Sequence, residues 1–217
     1  MIDKLDRRIL YELDVDARQR VSAIAKKVNR SKQSVLFRIR RLEKEKILQG
    51  YYPLVDSTKL GYFNYRIYLK FKEIDPAQRE ELYSFLRQHP AIWAIISLAG
   101  KWDLSISIGI RELKELQEFW GSFLSAYLGV IHQYIISVYF PIFHYPKSFL
   151  VGNPPPLKPR FWGEGNVQEI DATDWDILVQ LAQNARKELT EISKVVNLSP
   201  ETVGSRIKSL ESKGIIQ

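Results

Sequence analysis

Within ten consecutive positions the chain places Lys32, Gln33, Ser34, Phe37, Arg38, Arg40 and Arg41. Ammonium and guanidinium groups neutralise phosphates, and amide and guanidinium donors match the base edges that double-stranded DNA exposes in its major groove. Charge combined with directional donors is the chemistry of a DNA reader, with Arg38, Arg41, Lys32, Gln33 and Ser34 as the principal groups. The plain alternative is a solvated basic face on an ordinary three-helix bundle.

To act together, those groups must share one outer face of a helix. Val35, Ile39 and Leu42 form an apolar stripe at helical spacing and leave the polar residues outside. Two similar stripes precede it, Leu5, Ile9, Leu10 and Leu13, then Val21, Ile24, Ala25 and Val28. Three short amphipathic helices follow from this. Only Asn29-Arg30 separates the second from the third, and the Ser31 hydroxyl is placed to cap the third helix. Two helices on so tight a turn make a helix-turn-helix.

The whole unit recurs. Asp3 to Gln49 returns, at an offset of 168 residues, as Asp171 to Gln217, the mark of a duplicated structural unit. Asp3/Asp171, Asp6/Asp174, Ala17/Ala185, Arg18/Arg186, Asn29/Asn197, Ser31/Ser199, Val35/Val203, Arg38/Arg206 and Leu42/Leu210 are among the matched positions. The copies differ in charge: residues 31 to 46 hold six cations against two carboxylates, residues 199 to 214 three against two. Arg206 and Lys208 are the candidate DNA contacts of the second copy, which is expected to hold phosphate more weakly. It either reads a different sequence or serves contacts with protein. Pro200 suits the first position of a helix, and Gly204 weakens that helix slightly.

Between the copies, Tyr65, Ile67, Leu69 and Phe71 alternate with Arg66, Tyr68, Lys70 and Lys72, as in a half-exposed strand. A helix opened by Pro76, an apolar strand from Ile92 to Leu98, a turn at Ala99-Gly100-Lys101-Trp102-Asp103 and a strand carrying Leu104, Ile106, Ile108 and Ile110 come next. Phe119 to Pro146 holds no Lys, Arg, Asp or Glu, long enough to raise the question of a membrane span. Its periodicity changes midway, from Leu113, Leu116, Trp120 and Phe123 at helical spacing to alternating Ile136, Val138, Phe140 and Ile142. A helix followed by a buried strand explains both halves, and no membrane association is expected. The order is then β-α-β-β-α-β, the ferredoxin-like arrangement. One sheet face, carrying Arg66, Tyr68, Lys70, Lys72, Ile135, Ser137 and Tyr139, stays uncovered by its own helices and is suited to pairing two copies of the chain.

The 217 residues carry a formal charge of +7, which favours polyanionic partners. Cysteine is absent, excluding disulfides and thiolate zinc sites. His89, His132 and His144 lack ligand spacing, so neither a metal site nor a cofactor is expected. The fold class is α+β in the layout 1–50 helix-turn-helix of winged type, 51–63 connector, 64–145 ferredoxin-like domain, 146–170 Pro-rich linker and 171–217 second helix-turn-helix. Pro154-Pro155-Pro156 favours an extended polyproline spacer in that linker, while Phe149, Leu150, Phe161 and Trp162 favour its packing partly on a domain surface.

The run Leu5-Asp6-Arg7-Arg8-Ile9-Leu10, with Ile24-Ala25, Ser31, Val35, Arg38-Ile39, Leu42-Glu43, Ile47, Gly50-Tyr51 and Leu60-Gly61, resembles the Lrp/AsnC (feast/famine) transcriptional regulators over roughly residues 1 to 145. The resemblance implies a cytoplasmic regulator of archaeal or bacterial type, in which a helix-turn-helix is joined to a ferredoxin-like (RAM) effector and assembly domain. It implies a homodimer or higher homo-oligomer and a small, amino-acid-like effector bound near the turn Ala99, Gly100, Lys101, Trp102 and Asp103. Here Gly100 and Asp103 keep the family pattern, but Ala99 stands where the family has Thr, removing a hydroxyl. Two other readings stay open: an architectural protein coating DNA with little sequence preference, and a haem-biosynthetic decarboxylase of the same architecture. Gln49 continues through Gly50-Tyr51 into the ferredoxin-like domain whereas Gln217 ends the sequence, so the natural chain is expected to continue into a second such domain.

Overall fold

In chain order the elements are α1 (Lys4–Val15), α2 (Val21–Val28), α3 (Lys32–Lys44), β1 (Phe63–Phe71), α4 (Pro76–Gln88), β2 (Ile92–Ser97), β3 (Leu104–Ile110), α5 (Leu113–Tyr127), β4 (Ile131–Val138), β5 (Ile142–His144), β6 (Arg160–Trp162), α6 (Ala172–Gln183), α7 (Leu189–Val196) and α8 (Pro200–Ser212). The computed structural model describes residues 2–139, 141–152, 159–163 and 166–217; Phe140 and the triple proline at 154–156 lie outside the described residues. The chain divides into two compact units, one gathering residues 1–56, 143–161 and 169–217, the other 57–142 and 162–168.

Local chemistry sets the helices of the first unit. Asp3 accepts from the Leu5 and Asp6 amides at 2.8 Å each, and the Asp6 carboxylate accepts from the Asp3 amide at 3.0 Å, a capping box that starts α1. At the end of α2, Asn29 turns left-handed with φ 55°, a conformation asparagine tolerates. The Arg30 amide then closes on the Ala25 carbonyl at 3.0 Å, and Ser31 caps α3 by accepting from the Ser34 amide at 3.2 Å. Ile9, Leu13, Ile24, Ala25, Val28, Val35 and Ile39 form the core under this turn.

The second copy repeats the device residue for residue. Asn197 has φ 53°, the Leu198 amide donates to Ser193 at 3.1 Å, and Ser199 accepts from Thr202 at 3.1 Å. Ile177, Leu181, Ile192, Val203, Ile207 and Leu210 are buried. Both helix-turn-helix heads belong to the first unit, and the segment after α3 bridges antiparallel to the chain end after α8 through Val55 and Ile216. Part of the Pro-rich segment also lies on α1, where Lys147 pairs with Asp14 and the Arg160 guanidinium donates to the Val15 carbonyl.

The second unit is an antiparallel sheet in the order β2-β3-β1-β4, the ferredoxin-like order. Central β1 and β3 bury Ile67, Leu69, Leu104, Ile106 and Ile108 against Leu82, Leu86, Leu116, Phe119 and Phe123 of α4 and α5. The expectation of a buried last strand is corrected. Ile136 pairs with Ile67 and so faces the helices, yet it is 36% exposed and Val138 60%. As a sheet edge, β4 has one neighbour only, and helix cover reaches it chiefly through Trp120, whose ring meets Tyr134 at 4.8 Å. Among the described residues no helix is long and apolar enough to cross a membrane.

Candidate nucleic-acid interface

Burying Val35, Ile39 and Leu42 leaves Gln33, Phe37, Arg40 and Lys44 exposed along the opposite side of α3, spaced by four, three and four residues. Phe37 is 69% exposed, an unusual position for a large aromatic side chain with no core to join. Among the described residues no carboxylate pairs with Lys32, Arg40 or Lys44. The first turn of α3 carries no acidic residue, so its free amides and the helix dipole favour an anion. A shallow hollow lined by Ser22, Lys26, Asn29, Arg30, Ser31 and Lys32 continues this basic surface across the turn.

Two of the principal sequence candidates also make ion pairs within the head. Arg38 reaches the Asp3 carboxylate at 2.6 Å and the Asp6 carboxylate at 2.8 Å, and Arg41 bonds the other oxygen of Asp6. Asp6 is fully buried. A buried carboxylate without a partner is costly, so this pair of guanidiniums stabilises the head by clamping α1 to α3. Arg38 flanks the buried stripe and Arg41 borders the outer side, and both guanidiniums turn toward the carboxylate of Asp6 on α1, with Arg41 also 3.8 Å from Glu45. The Asp6 amide and then Arg38 hold the Asp3 carboxyl down to about 2, and the same carboxylates raise Arg38 further above its ordinary range. Sequence reasoning had a usable signal: Asp3, Asp6 and Arg38 recur together at the same offset, as an ion pair would require.

In the second copy Arg206 reaches Asp171 and Asp174, each at 2.7 Å. The counterpart of Arg41 is Ser209, so one guanidinium remains. The exposed side of α8 reads Glu201, Ser205, Lys208 and Ser212, against Gln33, Phe37, Arg40 and Lys44 in α3. Lys208 is exposed on that side with no carboxylate partner among the described residues, whereas Arg206 pairs with Asp171 and Asp174. Glu201 also places an acid in the first turn of α8, opposing phosphate there.

The turn from Ala99 to Asp103 is closed on itself. The Leu98 amide donates to the Asp103 carbonyl at 2.9 Å, and Gly100 sits at φ 118°, a region open to glycine and strained for other residues. The Asp103 carboxylate accepts from the Lys70 ammonium and the Phe71 amide, both at 2.8 Å. Burial raises its pKa, but those two donors outweigh burial and leave it below the ordinary carboxylate range. Lys101 lies over the Trp102 ring at 5.4 Å. What the turn offers a ligand is thus backbone at Ala99 and Gly100 and the exposed Lys101, with Asp103 already engaged. His89 accepts from the Ala91 amide and packs on Phe119 at 4.8 Å.

Because its pKa is depressed on folding, Asp3 contributes stability that is present above the ordinary carboxyl range near about 4 and lost as pH falls through about 2. Carboxyl NMR titration is expected to show that low value, and Arg38→Gln to move it up only part of the way, since the Asp6 amide is the larger cause. Arg38→Ala combined with Arg41→Ala, which strands the Asp6 charge, is expected to cost the head about 3 kcal/mol in denaturant unfolding. An unchanged titration and an unchanged midpoint would refute the clamp.

Known proteins resemble this chain in sequence and in fold. The family model for the AsnC-type helix-turn-helix domain matches residues 2–43, and a winged helix-turn-helix DNA-binding model matches residues 170–217. The proline dehydrogenase transcriptional activator of Rhodobacter capsulatus is 31% identical over 128 residues, covering 58% of this chain and 82% of the relative. The HTH-type transcriptional regulator AldR of Mycolicibacterium smegmatis is 27% identical over 119 residues, 54% of this chain and 70% of its own. Among solved structures, LrpC of B. subtilis superposes with a TM-score of 0.54 at 26% identity, over 64% of this chain and 95% of LrpC. A Neisseria meningitidis transcriptional regulator in complex with L-Met shares the fold, with a TM-score of 0.55 at 23% identity over 64% of this chain and 89% of that one. A head that matches the AsnC type, a sheet that matches these regulators and a relative covered over most of its length together place the chain in the Lrp/AsnC family of DNA-binding transcriptional regulators.

Proposed function

We propose that the chain reads operator DNA in a sequence-specific way through Gln33, Phe37, Arg40 and Lys44 of α3, with Lys32 and Ser34 at the helix start and Arg38 and Arg41 as positioning residues. The observation that carries this reading is the exposed stripe itself, cationic, without a carboxylate partner among the described residues and bearing an exposed phenyl ring. Arg can donate twice to a guanine edge, Gln can donate to adenine N7 while accepting from its amino group, and a phenyl ring suits the thymine methyl. Arg40→Ala with Lys44→Ala is expected to weaken binding to a duplex recovered from genomic pull-down and to lower the salt slope by about 1 per lost phosphate contact. Phe37→Ala is expected to narrow the ratio between that duplex and a scrambled one. A ratio already near unity in the unaltered protein would favour an architectural protein.

The open sheet face supports self-association. Arg66 donates to Ser105 Oγ at 3.0 Å and lies over the Tyr139 ring at 4.8 Å, a preformed polar and aromatic surface beside Ile135, which is 41% exposed. We expect a homodimer or higher homo-oligomer through this face, with Ile135→Glu giving a smaller species in sedimentation velocity; an unaltered profile would move the interface elsewhere. A regulator of this kind works in the cytoplasm, beside the chromosome.

The L-Met complex of the Neisseria relative supports an amino-acid-like effector, met here by Ala99, Gly100, Lys101 and Trp102 with Asp103 held by Lys70. Thermal shift against the standard amino acids is expected to single out one or a few. Lys101→Ala should remove that shift, and equal response to all of them would count against a site at this turn.

A further inference from the structure

The two heads meet through bonds that repeat when the heads are exchanged. The Arg18 guanidinium donates to the carbonyls of Ala185 at 2.6 Å and Lys187 at 3.3 Å. Arg186, its counterpart at the 168-residue offset, donates to the carbonyls of Ala17 and, at 3.4 Å, Gln19. A contact from i to j answered by one from j to i defines an isologous, two-fold interface, ordinarily found between identical subunits. Here it closes within a single chain. Leu54 and Gln217 add to it by exchanging both backbone bonds, at 3.3 and 2.9 Å, and the Asp56 amide donates to Ile215 at 2.8 Å.

None of these bonds uses the outer side of α3 or α8. Gln33, Phe37, Arg40 and Lys44 stay exposed on one, and Glu201, Ser205, Lys208 and Ser212 on the other. We propose that one chain is a fused pair of unlike readers, which holds two different half-sites at a fixed separation, so that the unit read by one chain is not a palindrome whatever the number of chains that assemble. Resting on the DNA-reading role of α3 proposed above, this adds the class of site and the role of the second head. A pair of identical heads demands a palindrome; a pair with four differing contact positions does not. The α8 side lacks the phenyl ring, and Glu201 is suited to accepting from a cytosine amino group. Its weaker grip still counts, because binding of the first head makes the second event intramolecular.

The test is selection of duplexes from a random library by the full chain, followed by binding measurements on the recovered sequence. A two-part motif with unlike halves is expected, and five base pairs inserted between the halves should weaken binding by about a hundredfold. Ser205→Ala with Lys208→Ala should relax preference in one half only, and Arg40→Ala in the other. Arg18→Ala with Arg186→Ala, which removes the reciprocal side-chain bonds between the heads but leaves the backbone bonds of Leu54 and Asp56 and both stripes in place, should make the insertion several-fold less costly. A palindromic motif indifferent to the α8 changes would overturn the proposal, as would a single half with no spacing dependence, the behaviour of a second head that contacts protein. Enrichment of no sequence at all would overturn this inference together with the sequence-specific reading it rests on.

Discussion

The carboxylate of Asp6 is fully buried, and that one fact constrains the rest of the head. A charge withdrawn from water must be met by opposite charge and hydrogen bonds, or the head loses several kcal/mol, of the order of 3–5. Two arginines three residues apart on α3 meet it, which fixes the rotation of α3 about its own axis. Gln33, Phe37, Arg40 and Lys44 are then the residues that cannot turn inward. The surface proposed to read DNA is the remainder after the core and the clamp have taken their sides of the helix.

This explains both what the sequence made legible and where it stopped. Apolar periodicity located the three helices of each head, and Asn29, Ser31 and their counterparts marked the turns because left-handed asparagine and a serine cap are local chemistry. Periodicity could not say where Arg38 and Arg41 point, since a residue flanking a buried stripe can lean either way. The deciding partner lies 32 residues away on another helix, at the Asp6 carboxylate. Residues of β4 alternate toward and away from the helices as read, but their exposure follows from the strand's place at the sheet edge. That place is set by pairing partners and not by the strand's own residues.

The sheet unit shows the same division between local and distant chemistry. Gly100 is legible as a turn residue and is needed as one, at φ 118°. Asp103 looked like a ligand group, yet its carboxylate is held by Lys70 of the neighbouring strand and by the Phe71 amide. A carboxylate already bonded to an ammonium and an amide holds its strand ends together and has less capacity left for a ligand. An effector at this turn must therefore work mainly through backbone groups and Lys101, or displace Lys70 and loosen the pairing of β1 with β3.

Comparing the two heads separates structure from reading without any other sequence. Asp171, Asp174 and Arg206 keep the clamp, Arg186 keeps the mutual contact, and Asn197 and Ser199 keep the turn. The changes fall on the outer stripe and on Arg41, whose counterpart is Ser209. Losing that second guanidinium is tolerable for an electrostatic reason. Asp174 is 13% exposed where Asp6 is fully buried, so water supplies part of the solvation that Arg41 supplies in the first head. What holds each head in shape and joins it to the other is shared by the two copies, and the exposed outer stripe is where they differ.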